Sequence, residues 1–96
     1  MIKREIILKF LQEHKEEMRR KFYVKKIGLF GSYAKNCATK DSDIDIVIKS
    51  DKKDFFLRDD LREFLEEKLG VSVDVGYQDS FRDYYKNRIE KDIIYV

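Results

Sequence analysis

The stretch Gly31-Ser32-Tyr33-Ala34-Lys35-Asn36-Cys37-Ala38-Thr39-Lys40-Asp41-Ser42-Asp43-Ile44-Asp45-Ile46-Val47-Ile48 carries the reading on which the fold turns. Its second half alternates: Ile44, Ile46 and Ile48 fall on one side, Asp43, Asp45 and Val47 on the other, as in a half-buried strand. Asp43 and Asp45 then share a face, about 6.6–6.8 Å apart along the strand. Strands are depleted in Asp, and neighbouring like charges repel, so a purely structural strand would seldom be built this way. Two divalent ions about 3.5–4 Å apart would relieve the repulsion, each carboxylate reaching one ion or bridging both. Hard oxygen ligands favour Mg²⁺, which keeps some of its waters and takes phosphate oxygens from a substrate. The first half supplies what the carboxylates lack. Gly31 ends a strand and lets backbone approach a ligand, while the N–H groups of the next turn and the Ser32 hydroxyl suit an anion. If Ser32 is to meet Asp43, the strand ending at Phe30 must run antiparallel to the strand beginning near Ile44.

The neighbouring segments extend the pattern. Val24 to Phe30 reads as a strand, and Tyr33-Ala34-Lys35 as one helical turn behind it. Val71, Val73 and Val75 alternate with Ser72 and Asp74, so a third strand points Asp74 the same way as Asp43 and Asp45. Adjacent strands lie about 4.8 Å apart, within reach of a shared ion. Ile2 to Phe22 is expected as one helix, with Ile7, Leu11, Met18 and Phe22 near helical spacing. Asp54 to Leu69 is a second, with Leu57, Leu61, Phe64, Leu65 and Leu69 inward and Gly70 as its C-cap. Ser80 is the N-cap of a last helix through Ile89. The tail Ile93-Ile94-Tyr95-Val96 is either a short strand on a sheet edge or part of a partner-docking patch. The expected class is α+β, in the order α-β-α-β-α-β-α, with one sheet covered by helices.

Composition narrows the function. The chain has 96 residues, enough for one small domain spanning 1–96 with a modest core. Apolar residues at 43% exclude disorder, and charged residues at 42% exclude a greasy surface. A net charge of +2 excludes stable binding of nucleic acid by bulk electrostatics. The single cysteine, Cys37, forms no internal disulfide, and the single histidine, His14, leaves no zinc set. Any metal is therefore held by oxygen. No apolar run approaches a membrane span and no signal-peptide stretch follows Met1, so a cytoplasmic location without membrane association is expected. His14 reads as a solvated surface residue, Cys37 as incidental, and Asp41 and Ser42 as turn residues. The plain alternative for the aspartates is a polar turn running into a half-exposed strand, which leaves Gly31-Ser32 and Asp74 unexplained.

Gly31-Ser32, ten intervening residues, then Asp43-Ile44-Asp45 and a later Asp74 resemble the nucleotidyltransferase fold of the DNA polymerase beta superfamily. Gly31-Ser32-Tyr33-Ala34 with Asp41-Ser42-Asp43-Ile44-Asp45-Ile46 is similar to its minimal branch, the MNT-type antitoxins paired with HEPN-domain toxins. The resemblance spans essentially the whole chain. It implies that ATP lays its phosphates on the turn formed by Gly31 and Ser32, that two Mg²⁺ sit on Asp43 and Asp45, and that a hydroxyl attacks the α-phosphorus. It further implies that Asp74 supports the nucleophile-side metal and eases removal of the hydroxyl proton. The acceptor it implies is a tyrosine of the toxin, in a hetero-oligomer with this chain. Relatives commonly carry Arg-Gly where this chain has Lys35-Asn36. Lys35 keeps the phosphate-binding charge without the bidentate fork. Two other functions compete with AMP transfer to the toxin: neutralisation by binding alone, and nucleotidyl transfer to a small molecule such as an aminoglycoside.

Overall fold

The computed structural model describes residues 1–80 and 90–96. Among these residues four strands form one mixed sheet: β1 (Val24–Phe30), β2 (Ile44–Ser50), β3 (Val73–Tyr77) and β4 (Ile94–Tyr95), in the spatial order β3-β2-β1-β4. β1 runs antiparallel to β2, as the meeting of Gly31-Ser32 with the aspartates requires, and β2 runs parallel to β3. The parallel pair is connected by α4 (Phe55–Leu69), the crossover such a pair needs. The expected α+β architecture with one helix-covered sheet is what the chain adopts. The expected last helix through Ile89 lies outside the described residues, apart from the 3₁₀ turn Gln78–Ser80.

Alternation explains the core. Ile44, Ile46 and Ile48 are at most 3% exposed and lie with Ile27, Leu29, Val73 and Val75 against Ile7, Leu11, Met18, Leu61 and Leu65 of the helices. α4 begins where the Asp54 carboxylate accepts the Phe56 N–H at 2.8 Å, and ends at Gly70, whose φ of +71° is left-handed.

The N-terminal segment departs from the single expected helix. It forms α1 (Arg4–Glu13) and α2 (Lys15–Phe22), separated at His14, where φ and ψ are −104° and 10°. The cause lies in the His14 ring, which contacts the Phe10 carbonyl through Nδ1 at 2.9 Å and stacks on the Phe10 ring at 4.0 Å. His14 is thus half-buried beside Phe10 and Phe64, a packing residue and not the solvated one expected. Breaking the helix there lets both pieces follow the twisted sheet.

The tail takes the first of its two readings, a short edge strand. β4 pairs with β1 through Gly28↔Tyr95 and Leu29↔Ile94, and the Val96 N–H donates to the Ile27 carbonyl at 3.1 Å. Gly28 has a steric reason here. A Cβ at this position would lie 2.7 Å from Ile93 Cγ2 and 3.0 Å from the Tyr95 ring. The strand partner of Gly28 is Val47, fully buried on the face that also carries Asp45. That face is therefore apolar toward its middle and acidic at one end.

Candidate active site

The acidic end forms where β1 stops and β2 and β3 start. Phe30 is the register partner of Asp45, and Asp45 is the register partner of Asp74 in the parallel pair. The alternation in β3 leaves Asp74 exposed between buried Val73 and Val75, on the face opposite the core. Asp43 immediately precedes β2 and is exposed, while Asp45 is half-buried. Two backbone restraints hold the strand starts together. The Ile44 N–H donates to the Ser72 carbonyl at 2.9 Å, and the Val73 N–H donates to Glu66 Oε2 of α4 at 3.0 Å. Glu66 is itself gripped by Arg62.

β1 passes directly into the single helical turn α3 (Gly31–Ala34). Gly31 has φ +71°, a left-handed conformation that side chains disfavour, and a Cβ here would overlap the Asp45 carboxylate. Glycine is required for two reasons at once: the chain must reverse, and a carboxylate must lie against its backbone. Half-buried Ser32 follows at the same corner. The turn is closed by Lys35 N–H to Gly31 O at 3.1 Å and Cys37 N–H to Ser32 O at 2.9 Å, and Arg4 Nη1 donates to Ala34 O at 3.0 Å. Asp41 and Ser42 behave as turn residues: Thr39 N–H donates to Ser42 Oγ at 2.9 Å, and Ser42 N–H to Thr39 O at 3.0 Å. Cys37 is exposed on the same loop.

Electrostatics marks the corner as a place short of positive charge. The Asp45 carboxyl is pushed up from 3.8 to about 6, first by burial and then by the charges of Asp74 and Asp43. Two like-charged neighbours, with Asp45 wedged against Gly31, make a field that a cation would neutralise. Among the described residues, no three His, Cys, Asp or Glu side chains are gathered tightly enough to hold a metal unaided. A hard divalent cation suits this donor set when substrate phosphate oxygens and water complete it.

Five of the six expected site residues, Gly31, Ser32, Asp43, Asp45 and Asp74, thus lie at one corner of the sheet. The Asp45 carboxylate is the group that lies against Gly31 of the turn. The sixth, Lys35, stands at the far end of α3 with its Nζ 3.5 Å from Asp92 Oδ2. Asp92, Glu66 and Arg4 were not legible as supports of Lys35, β3 and α3, since each meets its partner through a tertiary contact that leaves no local pattern. An open cleft of about 920 Å³ lies elsewhere, at the start of β1 and the end of β2, lined by residues such as Lys15, Arg19, Tyr23, Lys49 and Asp51. It contains none of the corner's carboxylates and mixes both signs of charge.

Comparison with known proteins supplies a family and a fold. Residues 11–96 match the family model described as nucleotidyltransferase domain. A relative from Methanocaldococcus jannaschii, provisionally named protein adenylyltransferase MJ1379, is 41% identical over 96 residues, covering 94% of each chain. Protein adenylyltransferase MntA of Thermococcus cleftensis is 35% identical, covering 100% of this chain and 98% of that one. Among solved structures, one described as a minimal nucleotidyltransferase superposes with a TM-score of 0.80 at 22% identity, covering 97% of this chain and 95% of the other, a likeness of fold. A toxin–antitoxin structure with AMP-PNP superposes with a TM-score of 0.60 at 27% identity, covering 84% of this chain and 61% of the other.

Proposed function

The chain belongs to the nucleotidyltransferase domain family, and from that premise we propose that it is an antitoxin of the protein-adenylyltransferase type. Its substrate is ATP, its metal Mg²⁺, and its acceptor a tyrosine hydroxyl of a HEPN ribonuclease toxin. The observation that carries the reading is the seating of Asp45 against Gly31, in register with Asp74. Nucleotide-binding turn and acidic metal-ligating edge then form one corner and not two separate features. The relatives named as protein adenylyltransferases support the protein acceptor, and the toxin–antitoxin structure with AMP-PNP supports both ATP and a toxin partner.

In this reading Gly31 and Ser32 receive the terminal phosphates, through backbone N–H groups and the Ser32 hydroxyl, with Lys35 adding positive charge. Asp43, Asp45 and Asp74 hold Mg²⁺. Bound there, Mg²⁺ offsets the charge of the phosphates and the carboxylates and favours ionisation of a nearby hydroxyl. Asp74, the most open of the strand carboxylates, faces the incoming tyrosine and eases the departure of its Oη proton. A bond forms from Oη to the α-phosphorus, the bond from that phosphorus to the bridging oxygen breaks, and pyrophosphate leaves. The corner stands open to solvent on the Asp43 and Asp74 side, so a folded partner has room to supply the acceptor and the missing wall. No described helix is long and apolar enough to cross a membrane.

Intact mass of the toxin, co-expressed with the wild-type chain or with its Asp43→Asn form, tests the proposal. Added AMP units on a tyrosine with the wild type alone are expected. An unmodified toxin that still co-purifies would support neutralisation by binding. A toxin that neither changes mass nor co-purifies would move the acceptor to a small molecule.

A further inference from the structure

We infer that Asp92 is a positioning residue for Lys35, holding its ammonium while the nucleotide site is empty and yielding it to the triphosphate. The inference rests on the proposed binding of ATP at Gly31 and Ser32.

The two side chains meet across a long sequence separation, with Lys35 Nζ 3.5 Å from Asp92 Oδ2 and the side chains 56% and 40% exposed. What distinguishes this pair from an ordinary surface contact is the anchoring of both backbones. Lys35 is fixed by its own N–H on Gly31 O, and the preceding carbonyl, Ala34 O, is fixed by Arg4. Asp92 leads into β4, whose position is set by pairing with β1, by Val96 N–H on Ile27 O, and by Ile93 and Tyr95 filling the space above Gly28. The lysine stem is the longer and more flexible of the two side chains. The carboxylate opposite it belongs to a segment that is docked on the sheet.

An exposed pair of this kind contributes little to stability, so it is weak enough for a polyanion to break. Its effect on binding has a definite sign. Nucleotide must take Lys35 from Asp92 before the ammonium can serve a phosphate. Asp92 therefore weakens nucleotide affinity, and it does so through Lys35. The same exchange removes one tether from the stretch leading into β4, linking occupancy of the corner to the edge strand.

Calorimetric titration with Mg²⁺ and AMP-PNP, paired with kinetics of AMP transfer to the toxin, tests this. Asp92→Asn should tighten AMP-PNP about two- to fivefold and lower KM for ATP by a similar factor, with kcat within about twofold. Asp92→Glu should resemble the wild type. Lys35→Met should weaken binding, and adding Asp92→Asn to it should change nothing further. Unchanged or weaker binding by Asp92→Asn overturns the inference, and so does an equal gain in the Lys35→Met background, since that gain would be general charge removal. If the wild type binds AMP-PNP and Asp92→Asn is without effect, only this inference falls. If the wild type does not bind it, the proposed nucleotide site falls as well.

Discussion

Gly31 and Asp45 are the two residues on which the corner depends most directly. A methyl at position 31 would meet the Asp45 carboxylate and would also force a side chain into φ +71°. Gly31→Ala should therefore cost about 1–3 kcal/mol of stability and lower AMP transfer more than Gly70→Ala does. Gly70 shares the positive φ, but nothing lies within 4 Å of its added Cβ. Equal losses of transfer in the two variants would show that the close approach at Gly31 is irrelevant. Asp45 makes a prediction about pH. Its folded-state pKa of about 6 stands above the ordinary 3.8, so the folded chain holds this proton more tightly than the unfolded chain does. The resulting stabilisation is complete below about pH 3.8 and is lost as pH rises to about 6. In chelator, Asp45→Asn should raise stability near neutral pH by about 1 kcal/mol, after allowance for solvent screening, and flatten the slope across that window. The same substitution should abolish transfer. A melting curve at pH 7 in which Asp45→Asn lowers Tm would refute the electrostatic account. These roles were readable in the chain because strand alternation and a glycine at a strand end are local signals. That Asp45 lies against Gly31 was not readable, because it depends on the register Phe30↔Asp45, a tertiary fact.

Elements explain how the corner is held. β2 and β3 are aligned by Ile44 N–H on Ser72 O, and the start of β3 is tied to α4 through Glu66, which accepts the Val73 N–H while paired with Arg62. Glu66→Ala would strip the acceptor from a backbone donor next to Asp74. The expected result is a loss of about 1–2 kcal/mol with reduced transfer, and Glu66→Gln, which keeps an acceptor, should recover most of both. If Glu66→Ala melts and transfers like the wild type, the α4–β3 tie does not position Asp74. α4 itself was legible from its apolar period and its C-cap Gly70, while Asp54, expected as the first helical residue, is its N-cap. The N-terminal helix was legible only in part. Its apolar spacing continues across residue 14, so nothing in the periodicity marks the break that the His14–Phe10 stack produces.

At the scale of the whole molecule, the described residues form a mixed sheet with one face packed on helices and the other carrying an acidic corner and an apolar middle. Order β3-β2-β1-β4 places the parallel pair, which carries Asp45 and Asp74, away from the edge that β4 completes. Removing residues 93–96 would expose the β1 edge and uncover Gly28. We expect a loss of about 2 kcal/mol or more and a greater tendency to aggregate, measurable as a lower Tm and an earlier light-scattering onset. A truncated chain with the wild-type Tm would mean that β4 contributes no packing. Three of the four strands and the antiparallel β1–β2 pair followed from the sequence, and the fourth only as the edge-strand option for the tail. The pairing partner of that tail did not, because a four-residue apolar run fits any free edge equally well. Movement of AMP from ATP to a protein hydroxyl at this corner is tested most directly with the purified chain, the toxin, Mg²⁺ and ATP labelled at either the α- or the γ-phosphate. The expected result is α-label on the toxin, γ-label in pyrophosphate, and neither transfer with Asp45→Asn. An unlabelled toxin with the wild type, or equal labelling with Asp45→Asn, would contradict it.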